Sequence, residues 1–124
     1  MKFNININQL LVEEIDKITE SELDFVNIAI LHWFIDFDNT CKTKTIANYN
    51  GKEFFLVTRS KIINDLPAIR IKDEKSIGRR IDKLITAGLL EKKKSKDSKG
   101  RKNYYRQTDK LKKAIYIKNK KDTN

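Results

Sequence analysis

Histidine and cysteine are almost missing from this chain. Its 124 residues hold one of each, His32 and Cys41. A single cysteine excludes an intrachain disulfide and suits a reducing compartment. One histidine and one cysteine leave no ligand spacing for a zinc site, so His32 reads as a core or interface residue. There is no glycine-rich phosphate loop and no nucleophile elbow. The carboxylates Glu13, Glu14, Asp16, Glu20 and Glu22 fall on what reads as a solvated helix face. A nuclease would need its acids near the basic part of the chain. These absences argue against an enzyme and against a metal or cofactor. No apolar run reaches transmembrane length. Met1-Lys2-Phe3-Asn4-Ile5-Asn6 has no signal-peptide pattern. The expectation is a cytoplasmic protein with no membrane partner.

Acidic residues are scarce where basic residues abound. The chain holds 27 lysines and arginines against 17 acids, a formal net charge of +10. Residues 1–40 carry two basic and eight acidic side chains, whereas residues 75–124 carry eighteen and five. Charge gathered in this way points to a polyanionic partner for the C-terminal half. The acidic N-terminal half is expected to serve the core and a protein partner. The length suits one domain, taken as residues 1–117, followed by a polar tail at 118–124.

Periodicity divides the chain into short elements. Phe3, Ile5 and Ile7 alternate with polar residues, as in a short strand or extended arm. Leu10, Leu11, Ile15 and Ile18 have helical spacing. A second helix is expected from about Glu22 to Asp36, capped by Ser21. Its residues Phe25, Ile28, Ala29, Leu31, Trp33, Phe34 and Ile35 are apolar almost all round, which places it in the core. Thr43 to Tyr49 and Lys52 to Val57 flank Asn50-Gly51, a strong hairpin signal. The strand within Glu53 to Val57 is a natural partner for a later ribbon. Thr58 can cap a short helix from Arg59 to Leu66 with Ile62, Ile63 and Leu66 inward, ended by Pro67.

Asp73 to Arg106 organises the rest. Asp73 can cap a helix in which Ile77, Ile81, Leu84 and Ile85 form the apolar stripe, and Gly88 can end it. The other face carries Lys75, Ser76, Arg79, Arg80 and Lys83. A strand is expected from Leu89 to about Lys94, then a polar loop through Lys102, then a strand from Asn103 to Thr108. Glu91 to Lys113 holds eleven basic and three acidic residues. Lys92, Lys93 and Lys94 have a plain reading as a strand edge kept from aggregating by lysine. Tyr104 and Tyr105 should face opposite sides, one in the core and the other within reach of phosphate. Thr108 can cap a last helix, Asp109 to about Ile117, with Leu111 and Ile115 inward.

Four places carry a resemblance. They are Lys2-Phe3-Asn4-Ile5-Asn6-Ile7; Ala29-Ile30-Leu31-His32-Trp33-Phe34-Ile35; Asn50-Gly51-Lys52-Glu53-Phe54-Phe55 with Leu66-Pro67; and Lys75-Ser76-Ile77-Gly78-Arg79-Arg80-Ile81-Asp82-Lys83-Leu84 with Ala87-Gly88-Leu89-Leu90. Together they resemble the N-terminal winged-helix domain of phage and plasmid replication proteins of the replisome-organiser, DnaD-like kind. The resemblance implies an α+β fold, mostly α. It would be a winged helix-turn-helix with extra N- and C-terminal helices and a two- to three-stranded antiparallel sheet. It also implies sequence-specific binding of double-stranded DNA, with a role in replication initiation. Lys75, Ser76, Arg79, Arg80 and Lys83 would read or frame the major groove, where arginine can grip guanine O6 and N7. Lys94, Lys96, Lys99, Arg101, Lys102 and Arg106 of the wing would hold phosphates, as would Arg59 and Lys61 of the preceding helix. Gly78 departs from a good helix former inside the reading helix and suits a close approach to the backbone. Two alternatives stay open: a MarR-like transcriptional regulator, a homodimer through its terminal helices, and a winged helix that binds a protein such as a replication partner.

Overall fold

The computed structural model describes residues 24–97 and 100–113, with backbone alone at 96 and 97. The expected N-terminal strand or arm, the helix at Leu10 to Ile18, the Ser21 cap, Lys99, Ile115 and the tail lie outside the described residues. So does most of the surface expected to pair two copies.

The first described helix, α1, spans Phe25–Thr40. It starts later than the sequence suggests because Asp24 is the cap: its side chain accepts from the Asn27 amide at 2.9 Å. It also runs one turn further, through Phe37, whose carbonyl accepts from the Cys41 amide at 3.0 Å. Phe37 is 7% exposed and stacks on Trp33 with ring centroids 4.8 Å apart, so the extra turn buries an aromatic side chain. Ile28, Ala29, Ile30, Leu31, Trp33 and Phe34 are all buried, which makes α1 the central helix. Trp33 Nε1 donates to Asp65 Oδ2 at 2.8 Å, so the indole meets a polar partner inside the core.

Strands β1 (Ile46–Tyr49) and β2 (Lys52–Leu56) form the expected hairpin. Asn50 and Gly51 both take positive φ, 52° and 78°, as the tight turn between twisted strands demands. Helix α2 (Arg59–Asp65) follows, with Thr58 Oγ1 accepting from the Lys61 amide. Pro67–Ile69 is a 3₁₀ turn, and α3 spans Glu74–Thr86. Asp73 caps α3 by accepting from the Lys75 amide at 3.1 Å and the Ser76 hydroxyl at 2.9 Å. The stripe of α3 is buried at Ile77, Ile81 and Leu84, and half-buried at Ile85. At its end Gly88 has φ +81°, and Leu89 donates back to the Leu84 carbonyl at 3.0 Å.

Strands β3 (Leu90–Asp97) and β4 (Gly100–Gln107) make a long ribbon. The sheet has four antiparallel strands in the order β1-β2-β4-β3, not two or three. The reason is that β2 pairs with β4 through Phe55↔Tyr105 and Leu56↔Tyr104, and the tight turn keeps β1 on its outer side. The ribbon is also longer than its composition suggests. Ser95↔Lys102, Lys96↔Arg101 and Asp97↔Gly100 continue the ladder through what reads as a polar loop, because backbone pairing does not require apolar side chains. Residues 109–113 are helical, with the Leu111 amide on Thr108 Oγ1. The class is α+β, with about half of the described residues in helix.

One face of the sheet packs on the helices. Phe55 and Tyr105 meet Phe34 and Phe37 there, joined by Ile62, Leu66, Ile77, Ile81, Leu84, Leu89, Leu90 and Leu111. Tyr104 also departs from expectation, being 9% exposed. Its ring and that of Phe54 both pack on Tyr49 across the other face. Burial pushes the Tyr105 phenol up to about 12.

Candidate functional site

The basic residues gathered by the fold occupy one face of α3, the inner side of the ribbon and the start of α2. On α3, Lys75, Arg79 and Lys83 follow one another at four-residue spacing and are exposed, with Asp82 exposed beside them. Ser76 is half-buried and its hydroxyl is used by Asp73.

Arg80 has a different role from its neighbours. It turns to the N-terminus of α1, where Nη1 donates to Asp24 Oδ2 and, at 3.2 Å, to Asn27 Oδ1. Asn27 is fully buried. Burial raises Asp24, but the Asn27 amide, Arg80 and, further away, Lys83 outweigh it and hold the carboxyl below its usual value. Arg80 therefore ties α3 to α1 instead of standing out with Arg79. Arg106 is likewise held inside the protein: its side chain is 14% exposed and donates to Glu91 at 2.7 Å and Asp109 at 3.3 Å. Lys61 pairs with buried Asp65 at 3.3 Å, one turn further along α2. Both residues, expected to meet phosphate, are thus ion-paired, Arg106 with its side chain largely covered and Lys61 with its side chain 42% exposed. Glu91 meets Arg106 across the strand pair, which only the register reveals, whereas Asp65 and Asp109 are near neighbours of Lys61 and Arg106 in the chain.

Arg59 explains Gly78. Its guanidinium lies on α3 where a side chain at 78 would be: a Cβ there would fall 2.5 Å from Arg59 Cζ. Arg59 Nη1 donates to the Glu74 carbonyl at 3.4 Å, while its buried Nε has no acceptor among the described residues. This is the close approach that the glycine suggested.

Between the start of α2, the start of α3 and the ribbon lies a cleft of about 470 Å³. Arg59, Lys92, Lys94, Arg101 and Lys102 line it, with Glu74 as the acid. Lys92 is the residue that sequence reasoning missed. The signal was present: Leu90 is buried, and in a strand residues 92 and 94 share its face. The ribbon's inner face thus passes from apolar at Leu90 to cationic at Lys92 and Lys94. Lys92 Nζ sits 6.0 Å from the centre of the Tyr105 ring. Burial depresses the Lys92 ammonium, and Lys94 and Arg59 act in the same direction, with Asp82 opposing. Lys94 and Arg101 are exposed and Lys102 is half-buried. Lys96 is placed by its backbone, paired with Arg101.

Chemically the arrangement gathers positive charge around one concave surface. Among the described residues no group of three or more His, Cys, Asp or Glu is disposed to hold a metal, and no helix is long and apolar enough to cross a membrane. No protein-family profile, curated protein or solved structure matches the chain.

Proposed function

We propose that this chain is a winged helix-turn-helix protein that binds double-stranded DNA sequence-specifically, in the initiation of phage or plasmid replication. In this reading α2 and α3 are the helix-turn-helix, α3 enters the major groove and the β3–β4 ribbon is the wing. The observation that carries it is the exposed row Lys75, Arg79 and Lys83 on a helix that abuts a cationic ribbon. Arg79 has the planar fork suited to a guanine edge, and Lys75 and Lys83 lie one turn to either side to meet phosphates. The resemblance of Lys75 to Leu84 and Ala87 to Leu90 to replisome-organiser domains supplies the biological setting.

The test is binding to random duplex DNA across a salt series, followed by selection of bound sequences from a random pool. Neutralising about five phosphates gives a log–log slope of roughly −4.5. A slope of that size, its reduction in an Arg79→Ala/Lys83→Ala variant and an enriched motif are expected. An inverted-repeat motif would add that two copies bind together. Binding indifferent to salt and to both substitutions, with no enriched motif, would remove the DNA reading.

A further inference from the structure

The cleft between α2, α3 and the ribbon has features that a groove-reading helix does not need. It is concave, whereas the exposed row on α3 is convex. Its cations converge from two directions: Arg59 from α2, and Lys92, Lys94 and Arg101 from the inner face of the ribbon. Only Glu74 among the lining residues carries the opposite charge. At Lys92, Asp82 on α3 supports the charge while Lys94 and Arg59 oppose it, and partial burial leaves these effects less screened by water. The Arg59 guanidinium rests against Gly78, with Nη1 donating to the Glu74 carbonyl at 3.4 Å, which places its charge at the cleft. Its buried Nε is a donor without an acceptor among the described residues.

We propose that this cleft is a binding site for closely spaced phosphate groups. Its volume lies within the roughly 300–1,000 Å³ of small-ligand sites. Arg59, Lys92, Lys94 and Arg101, spread over α2, β3 and β4, suit two linked phosphates better than one. Lys92 and Lys94 project from one face of β3 at alternate positions and would hold one phosphate between them. Arg101, across the strand pair, and Arg59 would meet the second, with arginine supplying paired donors. The phosphates can belong to a small polyphosphate, such as a nucleoside diphosphate, or to successive positions of a nucleic-acid strand. The site does not depend on α3 reading a DNA groove.

The experiment is calorimetric titration of the whole chain with pyrophosphate at fixed ionic strength, with amide chemical shifts followed by NMR. One saturable site per chain is expected, with shifts confined to residues around the cleft. Lys92→Gln/Lys94→Gln should weaken it by about tenfold or more, the scale of one charge-assisted hydrogen bond lost. Arg101→Gln should weaken it as well, which guards against a fold effect peculiar to the double variant. The charge-matched Lys42→Gln/Lys52→Gln variant changes exposed residues that do not line the cleft and should bind as the parent does. Non-saturating binding, or equal losses in the cleft and control variants, would overturn the proposal. Competition then distinguishes the sources. Duplex or single-stranded DNA that displaces pyrophosphate assigns the site to strand phosphates; DNA that binds without displacing it assigns it to a small ligand. Saturable pyrophosphate binding with no DNA binding would keep this proposal and remove the proposed function. DNA binding without a pyrophosphate site would do the reverse.

Discussion

Arg79 and Arg80 are neighbours in the chain, yet replacing each with alanine should have opposite consequences. Arg79 is exposed on α3. Its loss should leave stability within about 0.5 kcal/mol of the parent, as surface changes usually do. It should also reduce the magnitude of the salt slope for duplex binding by about 0.9, the share of one phosphate, or relax the selected motif at one position if it meets a base. Arg80 joins two helices. Its ion pair with Asp24 is half exposed, with side-chain exposures of 34% and 50%, and should contribute at most about 1 kcal/mol. Its hydrogen bond to the fully buried Asn27 carboxamide should add about 1 kcal/mol, because the Asn27 oxygen would otherwise be left in the core. Arg80→Ala is therefore expected to cost about 1–2 kcal/mol, a fall in Tm of roughly 4–8 °C. At temperatures where it stays folded its salt slope should be that of the parent. Thermal unfolding followed by Trp33 fluorescence, with salt titrations on the same preparations, measures both. The reasoning is refuted if Arg80→Ala leaves Tm unmoved and lowers the slope as Arg79→Ala does.

Three more outcomes follow from the packing. In a double-mutant cycle, Gly78→Ala should stabilise an Arg59→Ala background by about 1 kcal/mol, the helix preference of alanine over glycine, and give less in the parent, where the new methyl must displace the guanidinium. Equal gains in both backgrounds, read by urea unfolding, would show that the contact has no energetic weight. Asp65→Ala should cost about 2–3 kcal/mol by leaving the buried Trp33 Nε1 without its acceptor, and the tryptophan emission of the native state should shift with it. Asp24 has a folded pKa below its ordinary 3.8, so its contribution is complete above that value and is lost as pH falls through the folded value. The stability difference between the parent and Arg80→Ala should therefore hold down to about pH 4 and shrink below it, and a difference that grows on acidification would contradict the pairing.

Much of this fold can be read from the chain, for identifiable reasons. Asn50-Gly51, Thr58, Asp73 and Gly88 act through their own backbone and nearest neighbours, so their turns and caps are written locally. The stripe Ile77, Ile81 and Leu84 is legible because burial and helical period coincide. The cap of α1 is ambiguous in the sequence because Ser21 and Asp24 are both good caps, and the choice of Asp24 is supported by Arg80, 56 residues away. The outer part of the ribbon is not legible in the sequence because backbone pairing does not require apolar side chains. The basic residues divide in a way that composition cannot show. Lys75, Arg79 and Lys83 are exposed, while Arg80 and Arg106 are engaged by Asp24 and Glu91, which only tertiary structure brings near, and Lys61 pairs with Asp65 one helical turn away. The cleft required knowing that the strand face bearing Leu90 is also the face bearing Lys92 and Lys94.

The seat of Arg59 on Gly78 bears on how sequences of this kind can diverge. An arginine at 59 fills the space that a side chain at 78 would take and must shift if one is added, while a bare backbone opposite a shorter residue would leave a gap. Drift at either position alone is disfavoured, so in descendants of this chain the two should change together, glycine giving way to a small side chain when the arginine is shortened. A paired change of that kind would be a historical record of the distance between α2 and α3, legible in an alignment without any structure. Chains that keep both residues should also keep the angle at which these helices meet.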